Sequence, residues 1–161
     1  MSQFELVDWR GRPDLEPGLR VDWGYAEMEA EADAQGHPFV ARTREAWLDG
    51  RDRFDRPGEV FFLVFDGERL VGMGGLSIDP HLGDGSAARL RHVYVRSEYR
   101  RRRLAVTIVD RCLAHARAAG SFNRVRLRTF NPVAAALYEA LGFAPINDPS
   151  ATHQLLLAEN G

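Results

Sequence analysis

The apolar positions of this chain change their period several times, and each change marks an element. Phe4 to Trp9 alternates as a strand does, and Gly11-Arg12-Pro13 stops it. Tyr25, Met28 and Ala32 then share one face of a helix over 25–34, acidic on its other side. Val40, Trp47, Leu48 and Phe54 share a face of a second helix over 40–54. Phe61-Phe62-Leu63-Val64-Phe65 and Leu70-Val71-Gly72-Met73 flank Asp66-Gly67, a dipeptide suited to positive backbone dihedrals. They predict a hairpin whose loop Glu68 can lengthen. Beyond a loop over Asp79 to Ser86, Leu90 to Val95 reads as another strand.

The best-defined helix follows Arg103: Leu104, Ala105, Ile108, Val109, Cys112, Leu113 and Ala116 recur at helical spacing, and Gly120 supplies the stop. In the next strand Val125 and Leu127 alternate with Arg124, Arg126 and Arg128. Asn131 then caps a helix with Pro132 at its first position and Gly142 just past its end. Phe143 to Ile146 and Thr152 to Leu157 predict closing strands. This order predicts a single α/β or α+β domain over residues 1–161, built on a mixed sheet. Gly72-Met73-Gly74-Gly75 follows a strand but opens no helix, so it predicts a bulge or bend rather than a dinucleotide loop.

A length of 161 residues at 45% hydrophobic composition suits one buried core. No stretch approaches the roughly 20 apolar residues of a membrane span. Met1-Ser2-Gln3-Phe4-Glu5 lacks signal-peptide character, so the expectation is a cytoplasmic protein without membrane contact. The single cysteine, Cys112, excludes an internal disulfide and a cysteine-clustered zinc site, and its place on an apolar stripe predicts packing. His37, His115 and His153 are too scattered to predict a metal site. The net charge of −2 hides polarity: twelve of the 21 arginines lie between Arg89 and Arg128, against Glu98 and Asp110 alone, and there is no lysine. That half is suited to a polyanion. Interleaved aromatics and DNA-reading motifs are lacking there, which disfavours nucleic acid.

Two strand-to-helix junctions carry the candidate chemistry. One is Val95-Arg96-Ser97-Glu98-Tyr99-Arg100-Arg101-Arg102-Arg103-Leu104-Ala105; the other is Asn131 to Phe143. Unpaired amides at a helix N-terminus hold a pyrophosphate by hydrogen bonds and by the helix dipole. The order and spacing of these segments resemble the GCN5-related N-acetyltransferase (GNAT) family, most strongly over Leu90 to Phe143. The resemblance implies a central mixed, mostly antiparallel sheet flanked by helices. It implies transfer of an acetyl group from acetyl-coenzyme A to a primary amine by direct attack in a ternary complex, without metal.

Residue by residue, the resemblance implies a cofactor site at Arg100, Arg101, Arg102, Arg103, Leu104, Ala105 and Val106. Main-chain contacts to the pantetheine arm would come from the bulged strand at Val93 and Val95, and a further contact from Asn131. Tyr138 would be the acid that protonates the departing thiolate, a role open to a phenol with a pKa of about 10. Arg103 departs from the family pattern, which has glycine there, so its side chain must point away or contact phosphate itself. Arg89 stands where many relatives carry a glutamate base and cannot accept a proton. His92, Asp79, His81, Asp84 or a water relay are left for that task, or the amine binds already neutral. The acceptor, a small molecule or a protein or peptide, would bind near the early helices and the Asp79 to Ser86 loop, where acidic Glu27, Glu29, Glu31 and Asp33 could attract a cation. A homodimer is left open. The alternative is a non-catalytic coenzyme A-sensing or protein-interaction module on the same fold.

Overall fold

In the computed structural model, which describes residues 3–11 and 24–157, the chain opens with β1 (Phe4–Asp8), a 3-10 turn (Trp9–Gly11), α1 (Tyr25–Ala34) and α2 (Phe39–Leu48). Next come β2 (Val60–Asp66), β3 (Arg69–Ile78), β4 (Ala87–Val95), a 3-10 turn (Ser97–Tyr99) and α3 (Leu104–Ala119). It closes with β5 (Arg124–Leu127), α4 (Pro132–Ala140), β6 (Ala144–Asp148) and β7 (Ala151–Leu156). Arg12 and Pro13, read as the stop after the first strand, lie outside the described residues.

The strands form one seven-stranded sheet in the order β1-β2-β3-β4-β5-β7-β6. Every neighbouring pair is antiparallel except β4 with β5, so the sheet is mixed and mostly antiparallel, as expected. Each face carries its own core. Val60, Phe62 and Val64 of β2 join Ile108, Val109 and Cys112 of α3 and Tyr138 of α4 on one face. Phe61, Leu63 and Phe65 join Met28 of α1, Val40 and Trp47 of α2 and Trp9 on the other. Alternate residues of one strand thus anchor opposite helical layers, which explains why β2 is apolar almost throughout.

Several boundaries shift for local reasons. The second helix, expected to reach Phe54, ends at Leu48, because the chain turns at Gly50 with φ 80°. Phe54 still reaches the core, from a loop and with φ 53°. In the hairpin Asp66 pairs with Arg69, leaving Gly67 (φ 60°) and Glu68 as a two-residue loop. β4 begins at Ala87, three residues before the expected start. The Gly72–Gly75 segment remains strand, with the expected irregularity where the β3–β4 register shifts between Met73 and Gly75. A Cβ at Gly74 would collide with the Ile108 side chain and lie 3.2 Å from Val93 Cγ2, so glycine lets α3 and β4 approach β3.

Candidate active site

The β3–β4 register places one extra residue on β4. Met73 faces Tyr94 and Gly75 faces Arg91, so Gly74 opposes both His92 and Val93. His92 takes the left-handed conformation, φ 60°. This bulge changes the phase of the strand: Ala88 and Leu90 face the α3 core before it, and Val93 and Val95 face that core after it. On its other edge β4 pairs with β5 only from Ala87 to Arg89. Among the described residues the stretch containing Val93 and Val95 has no strand partner on that edge, so the main-chain groups there other than the Val95 carbonyl, which Arg100 holds, can meet an extended ligand as a neighbouring strand would.

The arginine loop lies directly beyond. Arg101 has φ 65°, and Arg103, the N-cap of α3, has φ 60° and ψ 20°. Arg103 therefore keeps the backbone conformation that glycine adopts most easily, while its side chain is exposed. The Thr107 amide donates to the Arg103 carbonyl at 3.0 Å, leaving the amides of Leu104, Ala105 and Val106 as the open first turn. Leu104 itself is buried and anchors that turn in the core. Arg101, Arg102 and Arg103 form no ion pair among the described residues, although the Arg102 guanidinium lies 5.3 Å from the Tyr99 ring centre. Four other arginines of the basic half are spent internally: Arg89 and Arg126 on Asp79, Arg91 on Asp52, and Arg96 on Glu27. Much of the uncommitted positive charge thus sits at a helix start whose open amides and dipole favour an anion.

Arg100 behaves differently from its neighbours. Its Nε donates to the Val95 carbonyl at 3.0 Å, and its Nη2 donates to Gln35 Oε1 at 2.8 Å. Tyr94 Oη donates to Glu31 Oε2 at 2.6 Å and also lies 3.1 Å from Gln35 Oε1. Arg100 therefore ties the loop to β4 and α1. Sequence inspection missed Gln35 and Glu31 in this network, because no local pattern signals hydrogen bonds across about 60 residues.

α4 brings the second motif to the same core. Asn131 Oδ1 accepts from the Val133 and Ala134 amides at 2.9 and 3.5 Å, the expected cap, and its carboxamide nitrogen has no partner among the described residues. The Tyr138 ring is buried against Phe143, with centroids 5.8 Å apart at 65°. Its hydroxyl makes no hydrogen bond among the described residues. Burial, with Cys112 nearby, pushes the phenol up to about 12, so it stays protonated across the neutral range. Cys112 is fully buried and its thiol is likewise pushed up to about 12 by burial, as an inert packing residue requires.

The groups considered for accepting a proton separate clearly. Asp79 is buried; it pairs with Arg126 at 3.1 Å and Arg89 at 3.5 Å and accepts from the His81 amide. Asp84 is exposed and caps its own turn through Ser86. His92 is half-buried near Phe39 and Phe54; burial and then the charges of Arg91 and Arg42 pull its pKa down to about 3. The acidic side of α1 is mostly neutralised: Glu27 pairs with Arg96, Glu29 with Arg44, and Glu31 with Tyr94 and Arg96. A cavity of about 380 Å³ lies beside β4, lined by Gly50 to Arg53, Asp55, Arg56, Glu59, Ile78, Pro80 and Arg91. The described residues hold no group of three or more potential metal ligands, and no described helix is long and apolar enough to cross a membrane.

Comparison with known proteins identifies the family and the fold. Residues 21–143 match the model of the acetyltransferase (GNAT) family. An Exiguobacterium sp. 255-15 structure assigned as an acetyltransferase superposes with a TM-score of 0.78 at 20% identity, covering 97% of this chain and 94% of that one. A spermidine N-acetyltransferase chimera from Vibrio cholerae and hSSAT gives a TM-score of 0.60 at 18% identity, over 96% of each chain. A structure from Bacillus anthracis str. Ames, assigned as a streptothricin acetyltransferase and in complex with acetyl coenzyme A, gives 0.55 at 16% identity over 65% of each chain.

Proposed function

The chain belongs to the acetyltransferase (GNAT) family, and on that premise we propose that it transfers an acetyl group from acetyl-coenzyme A to a primary amine by direct attack in a ternary complex. The observation that carries this reading is the backbone of Arg103. At φ 60° and ψ 20° it preserves the glycine-like loop and leaves the first amides of α3 open. The departure from the family pattern therefore does not close the phosphate site. Of the two grounds for a module that only senses coenzyme A, Arg103 and the missing strand glutamate, the first is thereby weakened.

Acetyl-coenzyme A supplies the activated acetyl group; the protein supplies position and proton control. The amides of Leu104, Ala105 and Val106, with the side chains of Arg101 to Arg103, receive the phosphates. The edge of β4 at Val93 and Val95, free of a strand among the described residues although the Val95 carbonyl accepts from Arg100, aligns the pantetheine arm, with Asn131 contributing its free carboxamide nitrogen. A main-chain amide at the bulge polarises the thioester carbonyl. The amine nitrogen forms the new C–N bond as the C–S bond breaks, and Tyr138 Oη delivers a proton to the departing sulfur. Arg100 is a positioning residue that holds the loop against Val95.

Calorimetric titration with coenzyme A, repeated at rising salt, tests the phosphate site, and thiol release with an amine panel tests the transfer. Expected are binding that weakens as salt rises and release that depends on an amine. A folded protein that binds no coenzyme A at low salt refutes the assignment.

A further inference from the structure

We infer that the cavity beside Arg91 is the acceptor pocket and that it selects amines carrying a carboxylate, such as free amino acids. This inference rests on the acetyltransferase reading and adds a substrate class to it.

The location comes first. The cavity meets β4 at Arg91, one residue before the bulge. The Arg91 guanidinium lies 5.8 Å from the Phe54 ring, and that ring lies 6.1 Å from His92. Phe54 belongs to the core on the α1 and α2 face, whereas Leu90, Val93 and the start of α3 belong to the opposite core. An acceptor in this cavity approaches the bulge from the face opposite the open amides of α3, as a ternary complex requires. A volume of about 380 Å³ holds a molecule of amino-acid size.

The charges then choose the class. Two of the three carboxylates lining the cavity are committed. Glu59 accepts from the Arg56 amide, Nε and Nη2 and from the Ile78 amide, and Asp52 is paired with Arg91. Arg53 is held by a 3.0 Å bond from its Nε to the Trp47 carbonyl. Its two terminal nitrogens make no hydrogen bond among the described residues. A guanidinium anchored through Nε with its fork open is arranged to receive a carboxylate. Asp55 makes no ion pair among the described residues and supplies the counter-charge for an entering ammonium. Of the four arginines that line the same space, Arg51, Arg56 and Arg91 are paired with Asp49, Glu59 and Asp52. That leaves Arg53 and Asp55 as the one cation and one anion of the lining with no ion pair among the described residues, and the α1 carboxylates Glu27, Glu29 and Glu31 are already paired. One free cation and one free anion match an amine that carries a carboxylate, whereas a polyamine would meet Arg53 and find a single free carboxylate for its several ammonium groups.

Thiol release is measured with the common free amino acids, their carboxamides and spermidine, alongside calorimetric titration of the same amino acids into protein saturated with coenzyme A. At least one free amino acid should be used with kcat/KM about ten-fold or more above its carboxamide, mainly through KM. Arg53→Gln should bring that ratio towards one, while Arg53→Lys should keep part of the preference. Circular dichroism of both variants, and their affinity for coenzyme A, separate a lost contact from a lost fold. Preference for spermidine or for the carboxamide, a ratio indifferent to Arg53→Gln in a folded variant, or no amino-acid binding to the coenzyme A complex would each overturn the inference. Absence of coenzyme A binding in the parent protein would instead overturn the acetyltransferase reading beneath it.

Discussion

Replacing Tyr138 by Phe removes one oxygen and leaves the ring in place, which makes the substitution a clean separation of catalysis from packing. The hydroxyl makes no hydrogen bond among the described residues, so its loss leaves no buried partner unsatisfied. A change in folding free energy within about 0.5 kcal/mol is expected. If the phenol protonates the departing sulfur, single-turnover acetyl transfer should slow by roughly 10²-fold, or about 2.7 kcal/mol of activation free energy. Affinity for coenzyme A should change little. Burial holds the phenol near 12, so the parent rate should show no alkaline loss below pH 10 that disappears in the variant. Rapid quench under single-turnover conditions is the assay, because slow product release would hide the defect in steady state. Unchanged transfer in the variant, or a loss of stability near 1 kcal/mol that accounts for the whole effect, would refute the role.

Two further outcomes concern the frame around the site. Asp79→Asn leaves buried Arg89 and Arg126 without their shared carboxylate. Since Asp148 still pairs with Arg126 at 2.9 Å, urea denaturation should show a loss of about 3 kcal/mol, at the low end for breaking a buried pair. The folded-state pKa of His92, pulled down to about 3, lies below its unfolded value of about 6.5, so the unfolded chain takes up that proton first. Its contribution therefore costs nothing above pH 6.5 and erodes stability progressively as pH falls from 6.5 towards 3. Denaturation midpoints followed from pH 7 to pH 4 should decline less steeply in His92→Gln than in the parent, and identical slopes would show that His92 is solvated.

The parts of this fold legible in the sequence are those fixed within one or two turns of chain. The apolar face of α1, the Asn131-Pro132 start and Gly142 stop of α4, and the long stripe of α3 each obey a local rule, and their elements lie where that rule puts them. The β4 bulge also left a local mark: the apolar alternation slips from Leu90 to Val93 and Val95, with His92 at the slip. What was not legible depends on distant partners. Nothing near Arg96 announces Glu27, nothing near Arg126 announces Asp79, and the basic half looks more uniformly cationic in the sequence than its ion pairs leave it. The backbone of Arg103 was illegible for a different reason: arginine does not favour φ 60°, and only the surrounding junction holds it there.

That long-range ion pairing also changes how the missing glutamate is understood. Arg89 occupies the position where many family members have a base, and here it closes a buried cluster with Asp79 and Arg126. A single Arg89→Glu change would place a second carboxylate against Asp79 and leave that pair facing Arg126 alone, so the substitution cannot simply restore a base without disturbing the sheet. The ion cluster that joins β4 to β5 thus removes both Arg89 and Asp79 from proton transfer. The low pKa of His92 makes it a weak acceptor, and Asp84 is turned to Ser86. Under the acetyltransferase reading, His81, solvent or an amine that binds already neutral are left to settle the proton, and if the acceptor enters by the cavity beside Arg91, Asp55 is the carboxylate there with no ion pair among the described residues.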